Sequence, residues 1–171
     1  MIARPIVIGL ALIIAVTLQT ALFPLLPTGW FRPDLLLLLV VAVALEDGPL
    51  PGMRIGFAAG LVTDLLVTLS PAGVATLVMT VIGTVIGTIR PYLAPSSLTA
   101  PLFIAFASGL LGTATYGTLA LLLGDDRVTG TMLVQSSVAV ALYNAVLAPV
   151  VIGPVGRLLR KFPRQTATAV D

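Results

Sequence analysis

The 171-residue sequence has no cysteine and no histidine. Without cysteine there is no disulfide and no thiolate chemistry, and nothing marks the redox compartment. Without histidine the commonest metal ligand and the commonest general base are both missing. Charge is scarce too: 9% of residues are Asp, Glu, Lys or Arg, against about 25% in a soluble domain. No Walker loop, dinucleotide fingerprint or metal-ligand spacing occurs. An intramembrane aspartyl protease needs carboxylates on two facing helices, and a rhomboid-type serine protease needs a base; the chain has neither set. A pure ion channel would want several charges within its apolar runs, and there is one. These absences argue against an enzyme, a cofactor or metal, and a nucleic-acid partner.

Hydrophobic residues make up 58% of the chain, gathered in long blocks. That pattern predicts an all-α integral membrane protein with a compact bundle of six transmembrane helices. The blocks fall at about 5–26, 34–45, 53–69, 74–89, 102–123 and 131–153. They form one domain over 1–156, followed by a basic tail at 157–171. The first block exceeds the roughly 7–15 apolar residues of a signal sequence and lacks a clean cleavage site, so it is expected to be retained. The second is only about 17 Å long against a core of about 30 Å. It borrows flanking residues, thins the bilayer or stops short of spanning it. Its uniform Leu/Val content gives no preferred face, and Asp34 suits its N-cap. Glu46-Asp47-Gly48-Pro49-Leu50-Pro51 reads as a turn-rich connection. Trp30 and Phe31 read as interfacial anchors, Asp125-Asp126 as a solvated turn, and Pro154 as the end of the last helix.

An even number of spans puts both termini on one side. With both in the cytoplasm, Arg4, Arg54, Arg90, Arg157, Arg160, Lys161 and Arg164 are inside and only Arg32 and Arg127 outside. The positive-inside rule selects that orientation. The tail is basic enough to lie against anionic headgroups of the membrane lipid.

The organising stretch is expected at Gly52–Gly73. Gly52, Gly56 and Gly60 recur every fourth residue, so they stack on one helix face and open a groove for another helix. One turn on sits Asp64, the only acid deep inside an apolar run, where a carboxylate costs a few kcal/mol unless protonated or paired. Three roles fit it: a hydrogen-bonding residue inside the bundle, a contact to a partner subunit, or a step on a proton, ion or ligand path. Gly83 and Gly87 repeat the glycine spacing in the fourth segment. Thr76, Thr80, Thr84 and Thr88 form a row that can bond across a helix pair or back to its own carbonyls. Gln19, Gln135 and Asn144 complete the intramembrane polar candidates.

Several of these pieces resemble one family. Leu18-Gln19-Thr20-Ala21-Leu22-Phe23 and Pro33-Asp34-Leu35-Leu36-Leu37 are similar to the end of the first segment and the start of the second in the rod shape-determining protein MreD. Gly48-Pro49, Gly52, Gly56-Phe57, Gly60-Leu61, Asp64-Leu65-Leu66 and Pro71-Ala72-Gly73 resemble its glycine-rich third-segment block. The motif resemblance covers about 18–90; beyond it only hydropathy matches. It implies a non-enzymatic inner-membrane scaffold of the bacterial cell-elongation complex, supporting peptidoglycan synthesis and cell shape. The implied partner is MreC, which has one membrane helix and a periplasmic coiled coil. Through it come MreB, the glycosyltransferase RodA and a class B penicillin-binding protein. The implied fold is similar to the substrate-binding S components of energy-coupling-factor transporters. That likeness supplies the alternative, a small-molecule-binding subunit of a vitamin transporter. In the scaffold reading Gly52, Gly56, Gly60, Asp64, Gly83 and Gly87 are the packing and docking candidates.

Overall fold

A computed structural model describes residues 3–22, 32–66, 72–93, 99–125 and 127–162. Trp30, Phe31, Ser70, Pro71, Asp126 and Arg164 lie outside the described residues. The described chain is all-helical. Helix α1 (Ala3–Thr17) ends in a π-helical turn, Leu18–Leu22. Then come α2 (Leu35–Asp47), α3 (Pro49–Leu66), α4 (Val74–Ile89) with one 3-10 turn (Arg90–Tyr92), α5 (Ala100–Leu122) and α6 (Gly130–Lys161). Among the described residues, four stretches are long and apolar enough to cross a membrane: 4–21, 74–92, 100–122 and 130–161.

The centre of the bundle is α2, not the glycine helix α3. Leu35 to Ala44 are all buried, most of them completely. A helix that is apolar all round belongs where no face meets water, and here it meets little lipid either. Antiparallel hairpins α3–α4 and α5–α6 flank it, α4 touches α5, and α1 lies against α2 and one end of α6. Helix α1 docks through Val7, Ile8, Ala11, Leu12 and Ala15 and leaves Ile6, Leu10, Ile13 and Ile14 outward.

Helix α2 covers about 20 Å at 1.5 Å per residue. Its first turn meets α6 at Asn144, near the middle of that 32-residue helix. Its last turn meets α6 beside Gly156 and Arg160. So α2 stops short of spanning the bundle.

The expected connection at 46–51 is almost all helix. A single residue, Gly48, reverses the chain at φ 84°, a left-handed conformation that only glycine adopts without strain. Pro49 then occupies the first helical position, where its missing N–H costs nothing. Helix α6 likewise continues past Pro154 to Lys161. Both its prolines face outward, while Ala148, Ile152, Gly156 and Leu159 hold the opposite face in the core. That packing carries the helix through two missing N–H donors, which membrane helices tolerate when neighbours support them.

Candidate functional site

The glycines of α3 and α4 face each other. A Cβ on Gly56 would fall 2.8 Å from the carbonyl carbon of Met79, and one on Gly60 2.6 Å from the carbonyl oxygen of Ala75. A Cβ on Gly52 would come 2.9 Å from Ala44 Cβ, and one on Gly83 2.9 Å from Val40 Cγ1. Gly87 lies against Gly48 and Pro49. The groove of α3 is therefore filled by α4 of the same chain. A partner helix has no room in it.

Asp64 stands at the turn end of this hairpin, half-buried. Its Oδ1 accepts the Ala75 N–H at 3.1 Å. Its Oδ2 accepts the Thr76 N–H at 3.0 Å and the Thr76 hydroxyl at 2.6 Å. Gly73, in the N-cap position of α4, has no side chain to do this. Asp64 is thus an N-cap supplied from the neighbouring helix, and its carboxyl oxygens face the positive end of α4. The rest of the threonine row turns inward on its own helix: Thr84 donates to the Thr80 carbonyl at 2.7 Å and Thr88 to that of Thr84 at 2.8 Å.

A second polar cluster holds the start of α2. Gln19, from the π-helical turn, accepts the N–H groups of Leu35 at 3.1 Å and Leu36 at 3.2 Å. The Asp34 carboxylate accepts that of Leu37 at 2.9 Å. The Leu38 N–H makes the first helical bond, to the Asp34 carbonyl at 3.1 Å. Asn144 Oδ1, fully buried, accepts the Asp34 N–H at 3.0 Å. Every donor that a helix start leaves orphaned is matched here, inside a bundle where water offers no substitute. Gln135, by contrast, is exposed on α6. Gln19→Leu is accordingly expected to cost about 2 kcal/mol, because it strands two buried donors. Gln135→Leu is expected to cost less than about 0.5 kcal/mol. Thermal melts of the two purified variants, read by size exclusion after heating, check the difference.

The other end of α2 is fastened by ion pairs. Arg4 reaches Asp47 through Nη2 and, at 3.2 Å, through Nε, and donates from Nη1 to the Phe162 carbonyl at 2.6 Å. Arg160 pairs with Glu46. Gly156 makes the seat for Glu46, since a Cβ there would lie 3.2 Å from its carboxyl carbon. Glu46 and Asp47, expected in a turn-rich connection, are the acids of this latch. The signal was available in the charge count, because two acids set among the basic residues of one end imply ion pairs.

These groups bond helices to one another. Among the described residues there is no cluster of His, Cys, Asp and Glu able to hold a metal ion. A family model of the rod shape-determining protein MreD matches residues 2–162. No curated protein and no solved structure matches the chain.

Proposed function

Because the chain belongs to the MreD family of rod shape-determining proteins, we propose that it is a non-catalytic scaffold of the bacterial cell-elongation complex. In this reading it lies in the inner membrane with both termini cytoplasmic, binds MreC, and through it serves MreB, RodA and a class B penicillin-binding protein. The family match over 2–162 carries the proposal. The use of these partly or fully buried polar groups supports it: Gln19, Asp34, Asp64 and Asn144 all spend their acceptors on helix starts. A bundle whose polar acceptors are spent on bonds between its own helices suits a part that positions others. Arg4, Arg54, Arg90, Arg157, Arg160 and Lys161 sit at the helix ends that share one face of the bundle, and the positive-inside rule places that face in the cytoplasm. With the glycine groove closed by α4, the helix of MreC is left an outward apolar face, and docking runs through shape complementarity there.

The test is a tagged pull-down from native membranes in mild detergent, with mass spectrometry of retained proteins and small molecules. A single-pass coiled-coil protein together with wall-synthesis enzymes is the expected recovery. An ATPase pair with a transmembrane coupling subunit, or a stoichiometric vitamin-like ligand, would overturn the scaffold in favour of a transporter subunit.

A further inference from the structure

Helix α6 turns one face to α2 and α5 and the other outward. On the outward face Val146, Val150, Pro154, Arg157 and Lys161 follow one another at spacings of three and four, so they make a single column. Val146 is 73% and Val150 67% exposed, and Pro154, Arg157 and Lys161 are exposed as well. The column is therefore apolar along most of its length and doubly cationic at its end.

The two cations are an i, i+4 pair of like charge, which repel one another unless an anion lies between them. Among the described residues neither has an ion pair. The nearby acids are engaged elsewhere: Glu46 with Arg160 and Asp47 with Arg4. Arg160, one residue from Lys161, points off the column to Glu46. Among the described residues no carboxylate lies on this face to compete with an anion for the two cations or to pair with the ammonium of a zwitterionic headgroup.

Length completes the match. From Val146 to Arg157 the helix rises about 16 Å, close to the half-thickness, about 15 Å, of a bilayer's hydrocarbon core. We infer that this face of α6 binds an anionic phospholipid, its phosphate between Arg157 and Lys161 and an acyl chain along Val150 and Val146. The column on α3 is an internal comparison: Phe57 and Leu61 lead to a single cation, Arg54, and are expected to select lipid charge weakly. On the proposed topology the lipid belongs to the cytoplasmic leaflet. The lipid assignment itself needs only that the chain is embedded in a bilayer, so it stands or falls apart from the scaffold reading.

The experiment is native mass spectrometry of the full chain released from detergent. Phosphatidylglycerol is titrated against phosphatidylcholine of the same acyl chains, with inorganic phosphate as a competitor. Wild type is expected to retain phosphatidylglycerol preferentially. The preference should fall about fivefold for each cation lost, the factor that one Lys or Arg near an anionic surface is worth. Arg157→Gln with Lys161→Gln should then retain both lipids equally, while Arg157→Lys keeps the preference and Arg54→Gln changes it little. Melting temperature is recorded for each variant, and Arg157→Lys guards against a folding artefact. Equal retention by wild type, or a double variant that still prefers phosphatidylglycerol, overturns the assignment. Displacement of the lipid by millimolar inorganic phosphate would also overturn it, making the pair a free-anion site.

Discussion

Gly56→Ala is expected to destabilise the purified chain by about 3 kcal/mol or more, although it adds one methyl group. Overpacking a core against mobile side chains costs about 1–3 kcal/mol. Here the obstacle is backbone, the Met79 carbonyl and Thr80 Cα, which cannot rotate aside. Helices α3 and α4 must separate, and in lipid the contact they lose is not replaced by a hydrophobic driving force, because the tails are as apolar as the helices. Gly9→Ala is the control, since a Cβ there meets nothing within 4 Å; it should melt like wild type or slightly above it. Gly52→Ala and Gly83→Ala oppose one another across the same crossing, so the double variant should lose less than the sum of the singles. Heating followed by fluorescence-detected size exclusion reads all five. A Gly56→Ala variant that melts with wild type would mean that α3 and α4 do not approach as described.

The same crossing shows what the sequence made legible. Spacing alone marked Gly52, Gly56, Gly60, Gly83 and Gly87 as faces of close approach. It did not say whether the helix in the groove came from this chain or another, because a four-residue period specifies a surface and not its occupant. Membrane character and the all-helical class were legible from composition, since charge so low leaves few alternatives. The central place of α2 was obscured by its shortness and its lack of a face, which were read as a spanning problem. Both have one cause: five helices enclose it, so no side needs to differ. Helix ends were the weakest reading. Gly48 turns the chain in one residue where six turn-forming residues suggested a loop. Pro154 did not stop α6, because packing on the opposite face outweighed one lost hydrogen bond. The anchor at the start of α2 joins Gln19, Asp34 and Asn144 from places far apart in the chain. Each was noticeable alone as a polar residue, but no local pattern announces that they converge.

That convergence bears on how a bundle with so little charge holds one arrangement. Its apolar contacts are interchangeable in kind, and packing among Leu, Val and Ala leaves neighbouring registers close in energy. The polar bonds are not interchangeable. Gln19 and Arg4 tie the two ends of α1 to the two ends of α2. Asn144, near the middle of α6, and Arg160, at its end, tie that helix to the two ends of α2. A helix pinned at both ends can neither slide nor turn without stranding a donor or a charge in a poorly solvated setting.

Asp64 extends this logic to α4, and its substitution is the second large effect expected. Asp64→Leu removes the acceptor of two backbone N–H groups and one hydroxyl. Gly73 has no side chain with which to replace it. Loss of an N-cap costs about 1–2 kcal/mol in water, and stranded donors in a membrane add to that, so a loss of about 3 kcal/mol is expected. Asp64→Asn keeps one acceptor oxygen but turns an NH2 group toward the remaining donors, and should fall about halfway. Thr76→Val removes only the hydroxyl bond and should cost about 1 kcal/mol. The series separates the three roles open to this residue. If Asp64 is a cap, stability falls in the order Thr76→Val, Asp64→Asn, Asp64→Leu, and the Thr76 effect disappears in the Asp64→Leu background. If it lay on a proton or ion path, Asp64→Asn would abolish function while melting with wild type. If it were a partner contact, the isolated chain would be indifferent to all three changes and only partner recovery would drop. The bonds to Ala75 and Thr76 favour the first outcome, and a melt of three variants decides it before any assay of cell shape is needed.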